Sequence, residues 1–249
     1  PRELFVLHSL AETLSSVELS VSGESLTVYR DLQILGAVPN HLLRVEDTLI
    51  VTASGENSLV VLGESTAQVS RRLTGPAGRN PMQTAHLGAA THQAVGLIAT
   101  TNFLSGTVTI RDLRSRPWSI QDSAGGQAPE TVSELSWELP VGTAPQAVVA
   151  LPGSTSGEFA VVVTNTAFST SRPAHNPFGP ATVTELTLQL GDVASDQRSI
   201  ELTATRTVDL EVPGFDAEND SGLNPTALID FPERGEVLVV GSGVNYGPD

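Results

Sequence analysis

The chain has 249 residues and a mass of 26.0 kDa, enough for one large domain or two small ones. Hydrophobic residues make up 39% and charged residues 16%, with 22 Gly and 16 Pro, which is too apolar for a disordered chain and too turn-rich for a helical bundle. Thirteen basic residues against 28 acidic residues give a net charge of −15, which disfavours nucleic acid as a partner. The absence of Cys excludes disulfide bonds and thiolate metal sites.

Short β-branched runs mark the predicted strands in chain order. These runs occupy 4–7, 49–52, 97–100, 161–164 and 237–240. Turns that contain proline precede the last four runs and start at Val38, Asn80, Ala144 and Asn224. Alternating strands that start at Ser15, Ser58, Gly106 and Ala181 follow the first four runs, and strands from Ser25, Ala67, Thr131 and Ser199 complete the cycles.

This repeated order of four short strands, lengthened only by loops, is typical of a β-propeller blade. A β-sandwich with irregular strands is the alternative, but a sandwich has no reason to repeat this order. We predict an all-β fold, a β-propeller of four-stranded antiparallel blades, in an incomplete arc of about four to five blades. The predicted blade repeats cover approximately 1–37, 38–79, 80–143 and 144–223, with a partial blade at 224–249.

The repeat also predicts which strands pair. The run 97–100 should pair antiparallel with 106–110, and the run 161–164 with 181–188. The last four β-branched runs should be equivalent second strands near the axis of the propeller. The chain should begin at a second strand and stop after the second strand of another blade, so that its ends duplicate each other and do not complete a closed ring.

A recurring local motif accompanies these strands. In the stretch 80–113 an Asn-Pro turn leads to a strand, the next strand ends in Thr-Asn, and a Ser-Gly loop leads to a third strand. The same form recurs from Val38 and from Ala144, where the second strand ends on Thr164 and Asn165. This pattern resembles the YVTN-type β-propeller repeat family. The resemblance implies a bladed ring of the kind common in secreted, periplasmic and surface-layer proteins, and it implies no particular activity.

The sequence contains no motif that is typical of a catalytic site. The segment 153–157 has Thr155 where a nucleophile elbow requires Ser, so it predicts a hairpin loop. The five His do not form an HExxH motif or pairs two residues apart. We therefore predict no catalytic residue and no zinc, haem or nucleotide site.

An acidic stretch is the candidate cation site. Asp216, Glu218 and Asp220 place three carboxylates within five positions, and Ca²⁺ prefers oxygen ligands. The spacing is not that of an EF-hand loop, and a solvated acidic turn is the alternative interpretation. Calcium is the only cofactor that the sequence suggests.

A long insertion is the candidate contact with a partner. Residues 167–180 take the place of a connection that needs only the four residues 55–58 in an earlier cycle. Its aromatic, Arg and His side chains are typical of interface anchors, namely Phe168, Arg172, His175 and Phe178. An inert lid folded over its own blade is the alternative.

Two classes of function remain. The first is a non-catalytic extracytoplasmic module, in the periplasm, on the cell surface or secreted, that binds proteins or acts as a scaffold. The alternative is a propeller enzyme, a lactonase-like hydrolase or a metal-dependent oxidoreductase, with its site partly outside this chain. A catalytic propeller should gather His, Asp or Glu side chains near the axis. We expect protein partners, no nucleic acid and no membrane span, since no run of about 18 apolar residues occurs.

Overall fold

The computed structural model describes residues 2–19, 26–32, 36–63, 69–74, 79–90, 94, 96–113, 136–167, 180–191, 199–210, 223–231 and 233–243. Within these residues the fold consists of strands, turns and short 3-10 segments, and no α-helix occurs. The all-β class predicted from the sequence is therefore confirmed.

The strands form five antiparallel sheets that follow one another along the chain. Sheet 1 contains β1 (Arg2–His8), β2 (Thr13–Leu19) and β3 (Leu26–Leu32). Sheet 2 contains β4 (Pro39–Val45), β5 (Thr48–Ala53), β6 (Ser58–Gly63) and β7 (Val69–Thr74). Sheet 3 contains β8 (Pro81–His86), β9 (Leu97–Asn102), β10 (Thr107–Asp112) and β11 (Ser136–Pro140). Sheet 4 contains β12 (Pro145–Pro152), β13 (Glu158–Asn165), β14 (Thr182–Leu190) and β15 (Ile200–Asp209), and sheet 5 contains β16 (Leu223–Phe231) and β17 (Glu236–Gly243).

Within each sheet, every strand pairs with the strands next to it in sequence. The two pairings predicted from the repeat are confirmed. In sheet 3, Ala99 lies opposite Ile110, and in sheet 4, Val162 lies opposite Glu185. This order is the one expected for short strands joined by hairpins, because each connection is short and local.

The second strands are equivalent, but the register corrects one run. Ala53 lies opposite Pro39, Asn102 opposite Pro81, and Asn165 opposite Pro145. Asn102 is therefore the counterpart of Ala53, and 98–101, not 97–100, is the counterpart of 49–52. Two threonines, Thr100 and Thr101, are adjacent here. The apolar pattern alone placed the end of the run at Thr100, whereas the register places it at Thr101.

Sheets 2, 3 and 4 begin with the same turn. The residue before the proline is left-handed in each, with φ of 53° at Val38, 59° at Asn80 and 54° at Ala144. The carbonyls of these three residues accept the N–H groups of Ser54 (3.1 Å), Phe103 (3.0 Å) and Thr166 (3.2 Å). A left-handed conformation costs a non-glycine residue about 1–2 kcal/mol, so these hydrogen bonds hold a strained turn in place.

A β-bulge follows the proline at or near the start of β4, β8, β12 and β16. The register shifts between Pro39 and His41, Pro81 and Thr84, Pro145 and Val148, and Pro225 and Ala227. A bulge adds a residue to one strand and leaves its main-chain groups outside the ladder. These groups need other partners, which the neighbouring strands supply.

The apolar core is divided among the four seams between sheets. One cluster joins sheets 1 and 2 through Leu14 and Val51, and another joins sheets 2 and 3 through Ile50 and Ile98. The largest joins sheets 3 and 4, where Phe159 is fully buried. A fourth cluster joins sheets 4 and 5. Each sheet is therefore held mainly by the sheets before and after it, as in a stack of layers.

The predicted hairpin loop at 153–157 is confirmed. It joins β12 to β13, and the main-chain N–H and hydroxyl of Ser154 donate to Glu158 Oε1 at 2.8 and 2.9 Å. These hydrogen bonds lower the pKa of Glu158 below its ordinary value, because they stabilise the carboxylate. The segment closes a turn and presents no nucleophile.

Candidate functional site at the first strands

The first strands of successive sheets lie side by side. β4 contacts β8, β8 contacts β12, and β12 contacts β16. Polar side chains near the proline of each strand are therefore placed against the next sheet. This row of first strands is where a propeller would gather the groups of an axial site.

A threonine one residue before the end of the second strand joins each of sheets 2, 3 and 4 to the sheet that follows. Its hydroxyl donates to a main-chain carbonyl of the following sheet, from Thr52 to Met82 (3.2 Å), from Thr101 to Gln146 (2.7 Å) and from Thr164 to Pro225 (3.2 Å). The hydroxyls of Thr101 and Thr164 also accept the N–H groups of Gln83 (3.1 Å) and Ala147 (3.0 Å), which lie at the bulges. At these two positions one threonine hydroxyl accepts a main-chain N–H at the bulge of its own sheet and donates to a carbonyl of the next sheet.

His41 and Gln83 occupy the same position in their strands, two residues after the proline. His41 Nδ1 accepts the N–H of Thr84 at 3.3 Å, and Gln83 Oε1 accepts the N–H of Val148 at 3.1 Å. Both bonds run from the first strand of one sheet to the first strand of the next. An imidazole and an amide therefore serve the same structural purpose at two successive seams.

The chemistry of His41 follows from this contact. The side chain is partly buried, and burial lowers its pKa below the ordinary value of 6.5, so the ring is neutral at pH 7. Since Nδ1 accepts a hydrogen bond, the single proton of the neutral ring lies on Nε2. In this state the Nε2–H group of His41 can donate a hydrogen bond, and Nδ1, its one acceptor, already accepts the N–H of Thr84.

A recess lies between sheets 2 and 3. Its lining includes the buried side chains of Ser58, Thr100, Asn102, Thr109 and Arg111. It contains hydroxyl, amide and guanidinium groups, and the described residues that line it include no carboxylate and no imidazole. None of these described lining residues carries a side chain of the kind that usually acts as a general base in hydrolysis.

The Thr-Asn motif of the second strand has a structural role. The amide of Asn102 donates to Thr107 Oγ1 (3.1 Å) and Thr109 Oγ1 (2.8 Å), and that of Asn165 donates to Thr182 Oγ1 (3.0 Å) and Thr184 Oγ1 (3.1 Å). His8 occupies the same position in sheet 1 and shares a hydrogen bond with Ser15 Oγ at 2.8 Å. These polar residues fasten the strand that carries them to the next strand of the same sheet.

The site residues predicted from the sequence lie outside the described residues. This applies to the calcium candidates Asp216, Glu218 and Asp220, and to the partner-contact candidates Phe168, Arg172, His175 and Phe178. Both assignments stay predictions.

The described part of the chain contains neither a cluster of metal-ligating side chains nor a helix that could span a membrane. There, no three His, Cys, Asp or Glu side chains come together in a group that could hold a metal ion. No helix among the same residues is long and apolar enough to cross a membrane.

Comparisons with known proteins identify a fold and no family. No protein-family profile matches the chain, and no curated protein matches it. The periplasmic gluconolactonase of Pseudomonas aeruginosa is similar in structure, with a TM-score of 0.50 and 15% identity over 96% of this chain and 60% of that protein. The chain thus spans about three fifths of the length of that enzyme.

Two other solved structures are more distant. The hydrazine synthase of Kuenenia stuttgartiensis gives a TM-score of 0.39 and 16% identity over 84% of this chain and 57% of that chain. A Lactobacillus plantarum protein gives a TM-score of 0.44 and 13% identity over 83% of this chain and 71% of that chain.

The five sheets and the likeness to the gluconolactonase show that the chain has a β-propeller fold, as predicted. The YVTN repeat family stays a resemblance.

The seam residues His41 and Gln83 were missed by sequence reasoning. Their signal is a polar residue two positions after the proline of a first strand, and it is present in the sequence. It becomes meaningful only with the bulge, which places the side chain toward the next sheet.

Proposed function

We propose that this chain belongs to an extracytoplasmic β-propeller that binds proteins or acts as a scaffold and performs no catalysis with its described residues. The observation that carries this proposal is the use of His41 and Gln83 as acceptors for main-chain N–H groups of the next sheet. Polar side chains at the first strands thus hold sheets 2, 3 and 4 together. The likeness to a periplasmic protein supports the location outside the cytoplasm.

His41 is the strongest candidate for a general base on the first strands, and its bonding argues against that role. A general base needs a free nitrogen lone pair facing the substrate. In His41 the lone pair of Nδ1 accepts the Thr84 N–H, and the proton lies on Nε2. Proton uptake at Nδ1 would break the seam bond, so catalysis by this group would work against the fold.

Contact with a partner is assigned to the insertion at 167–180. Its aromatic and Arg side chains, Phe168, Arg172, His175 and Phe178, have the composition of interface anchors. The insertion begins directly after Thr166, whose N–H and hydroxyl both bind Ala144 O, at 3.2 and 3.1 Å. It therefore starts from a fixed point at the end of a buried strand. Calcium at Asp216, Glu218 and Asp220 is proposed as a structural ion of a second loop.

A hydrolase of lactones is the second candidate, and the likeness to a gluconolactonase favours it. In that case the acid and base would come from residues outside the described part of this chain. The two candidates differ in what a purified chain should do.

The test compares the wild type with a loop variant in which 167–180 is replaced by Gly-Glu-Asn-Ser. Both proteins are used as bait in periplasmic extracts, and both are assayed for hydrolysis of an aldonic acid lactone. Capture of defined proteins by the wild type and not by the loop variant, without lactone turnover, supports the proposal. Lactone turnover that survives repurification, or equal capture by both baits, overturns it. Circular dichroism and urea unfolding check that the loop variant is folded.

A further inference from the structure

β15 forms the outer edge of sheet 4. It runs for ten residues, Ile200–Asp209, pairs with β14 on one side, and has no described strand on its other side. Every residue from Glu201 to Asp209 is exposed. An edge strand presents a row of main-chain N–H and C=O groups in the plane of its sheet. Neighbouring sheets pack onto the faces of sheet 4, so they do not compete for these groups.

The outer strands of sheets 2 and 3 are less suited to pairing with another chain. β7 has six residues, and β11 has five and ends at Pro140. Short edge strands and proline protect sheet edges from pairing, because they offer few main-chain N–H groups. β15 is longer and contains no proline, and its Thr, Ile and Val residues favour an extended strand. Of these three outer strands, β15 is therefore the one that can best accept a further strand.

A bulge in β15 changes which of its side chains share a face. Thr187 of β14 lies opposite Ala204, and Leu188 lies opposite Leu202. Thr203 is therefore an extra residue in β15, and the alternation of side chains shifts by one position there.

The bulge places two opposite charges on one face. Glu201 and Arg206 are five positions apart, so they would lie on opposite faces of a regular strand. In β15 they lie opposite Gln189 and Glu185 of β14, which are four positions apart and therefore share a face. Among the described residues neither Glu201 nor Arg206 forms an ion pair, and both are exposed.

A single register of two antiparallel copies of β15 brings these charges together. With Thr203 of one copy opposite Ala204 of the other, Glu201 lies opposite Arg206 twice, once on each side of a two-fold axis. Residues directly opposite each other in an antiparallel pair share a face, and the bulge is what allows Glu201 and Arg206 to do so. A register that placed Glu201 opposite itself would bring like charges together.

β15 thus carries both halves of a self-complementary edge. We propose that a second copy of this chain pairs with it, so that sheet 4 continues across a two-fold axis into sheet 4 of the other copy. The pairing adds main-chain hydrogen bonds and buries little apolar area, so the dimer should be weak and should dissociate on dilution.

The oligomeric state of the purified chain tests this proposal. Sedimentation equilibrium is recorded from micromolar to millimolar protein for the wild type, Glu201→Arg, Arg206→Glu and the control Asp47→Arg. Each reversal on β15 places two pairs of like charges opposite each other and should weaken association by about 10-fold or more. Asp47 is exposed on the turn between β4 and β5 of sheet 2, and its reversal makes the same change in net charge as Glu201→Arg. It should not weaken association.

Mixing gives the sharpest result. Glu201→Arg presents two cations on the edge and Arg206→Glu presents two anions, so each alone should be monomeric where the wild type is dimeric, and their mixture should form a one-to-one dimer. The double variant exchanges the two charges and should associate like the wild type. A wild type that is monomeric at millimolar concentration overturns the proposal. A dimer that both reversals leave intact also overturns it, because another surface would then hold it.

Folding of the variants is checked by circular dichroism and urea unfolding. Arg206→Glu places a second carboxylate opposite Glu185 of β14, whereas Glu201→Arg lies opposite the neutral Gln189. Glu201→Arg therefore tests the register on its own if Arg206→Glu is unstable. None of these results depends on capture of a partner by the insertion at 167–180, so failure of this proposal and failure of the proposed function are distinguishable.

Discussion

Sheets 2 and 4 end their second strands with different side chains in the same place. In sheet 4, Asn165 donates to the hydroxyls of Thr182 and Thr184, and its side chain is 1% exposed. In sheet 2, Ala53 stands at this position, and Val60 replaces the second threonine.

The difference shows that this position takes a polar set in sheet 4 and a set that is apolar except for Ser58 in sheet 2. The set of sheet 2 packs into the cluster that contains Leu14, where an amide at position 53 would lie opposite Ser58 but would lack the second hydroxyl, which Val60 replaces. The polar set of sheet 4 places an amide where it can donate to two hydroxyls and to Val141 O at 3.2 Å. Ser58 marks the boundary between the two, since its buried hydroxyl has no hydrogen-bond partner among the described residues.

Removal of the polar anchor should have the largest effect. Asn165→Ala removes an amide whose two hydrogens are shared among Val141 O, Thr182 Oγ1 and Thr184 Oγ1, and it leaves these acceptors without this donor, so the free energy of unfolding should fall by about 3 kcal/mol. Urea denaturation followed by fluorescence measures the change. Gln189→Ala, which loses only bonds at a more exposed site, is the control and should cost less than about 1 kcal/mol. A loss below that value in Asn165→Ala would show that the anchor contributes little.

The opposite substitution should break sheet 2. Ala53→Asn buries an amide beside Val60 and Leu14, and it should lower the free energy of unfolding by about 2 kcal/mol. Ser58 already provides one of the two hydroxyls that sheet 4 has, so adding Val60→Thr supplies the second, and this double variant should recover at least half of the loss. A double-mutant cycle gives the coupling energy. Additive losses at the two positions would contradict the idea of a matched set.

The pH dependence of stability should separate the imidazole of sheet 2 from the amide of sheet 3. Burial lowers the pKa of His41, so between this value and the ordinary value of 6.5 the unfolded chain binds more protons than the folded chain. Stability should therefore fall as the pH drops below about 6.5, by at most about 1.4 kcal/mol per pH unit, and level off below the pKa of the folded state.

His41→Gln, which copies the residue of sheet 3, should lose this contribution and keep an acceptor for the Thr84 N–H. Thermal or urea unfolding from pH 8 to pH 5 measures the difference between the variant and the wild type. Curves that stay parallel over the whole range would mean that His41 titrates alike in both states.

The smallest effect is expected at the strained turns. Val38 is β-branched and has a φ of 53°, whereas Ala144 holds nearly the same angle with a smaller side chain. Val38→Gly should stabilise the chain by about 0.5–1 kcal/mol, since the relief of strain exceeds the added entropy of the unfolded glycine. Ala144→Gly should change stability less. Equal changes at both positions would show that side-chain branching does not matter at this turn.

The sequence allowed the strands and their pairing to be predicted because both depend on local periodicity and short connections. The register of the run at 97–100 could not be fixed, because two adjacent threonines end the run equally well and the bulge that chooses between them has no hydrophobic signature. The match between Asn165 and its two threonines was readable in principle, since Ala53 and Val60 vary together in the other repeat. His41 is a polar residue two positions after a proline, but no covarying partner shows its role in the sequence. That role depends on the bulge and on the neighbouring sheet.

The acceptor of each inter-sheet threonine is a main-chain carbonyl. The residues that supply it, Met82, Gln146 and Pro225, have nothing in common as side chains. Any amino acid can replace them without removing the acceptor, so a duplicated repeat keeps its attachment while its surface diverges. At these three junctions only the donor must be preserved, and one hydroxyl per junction is a light constraint on the evolution of the repeat.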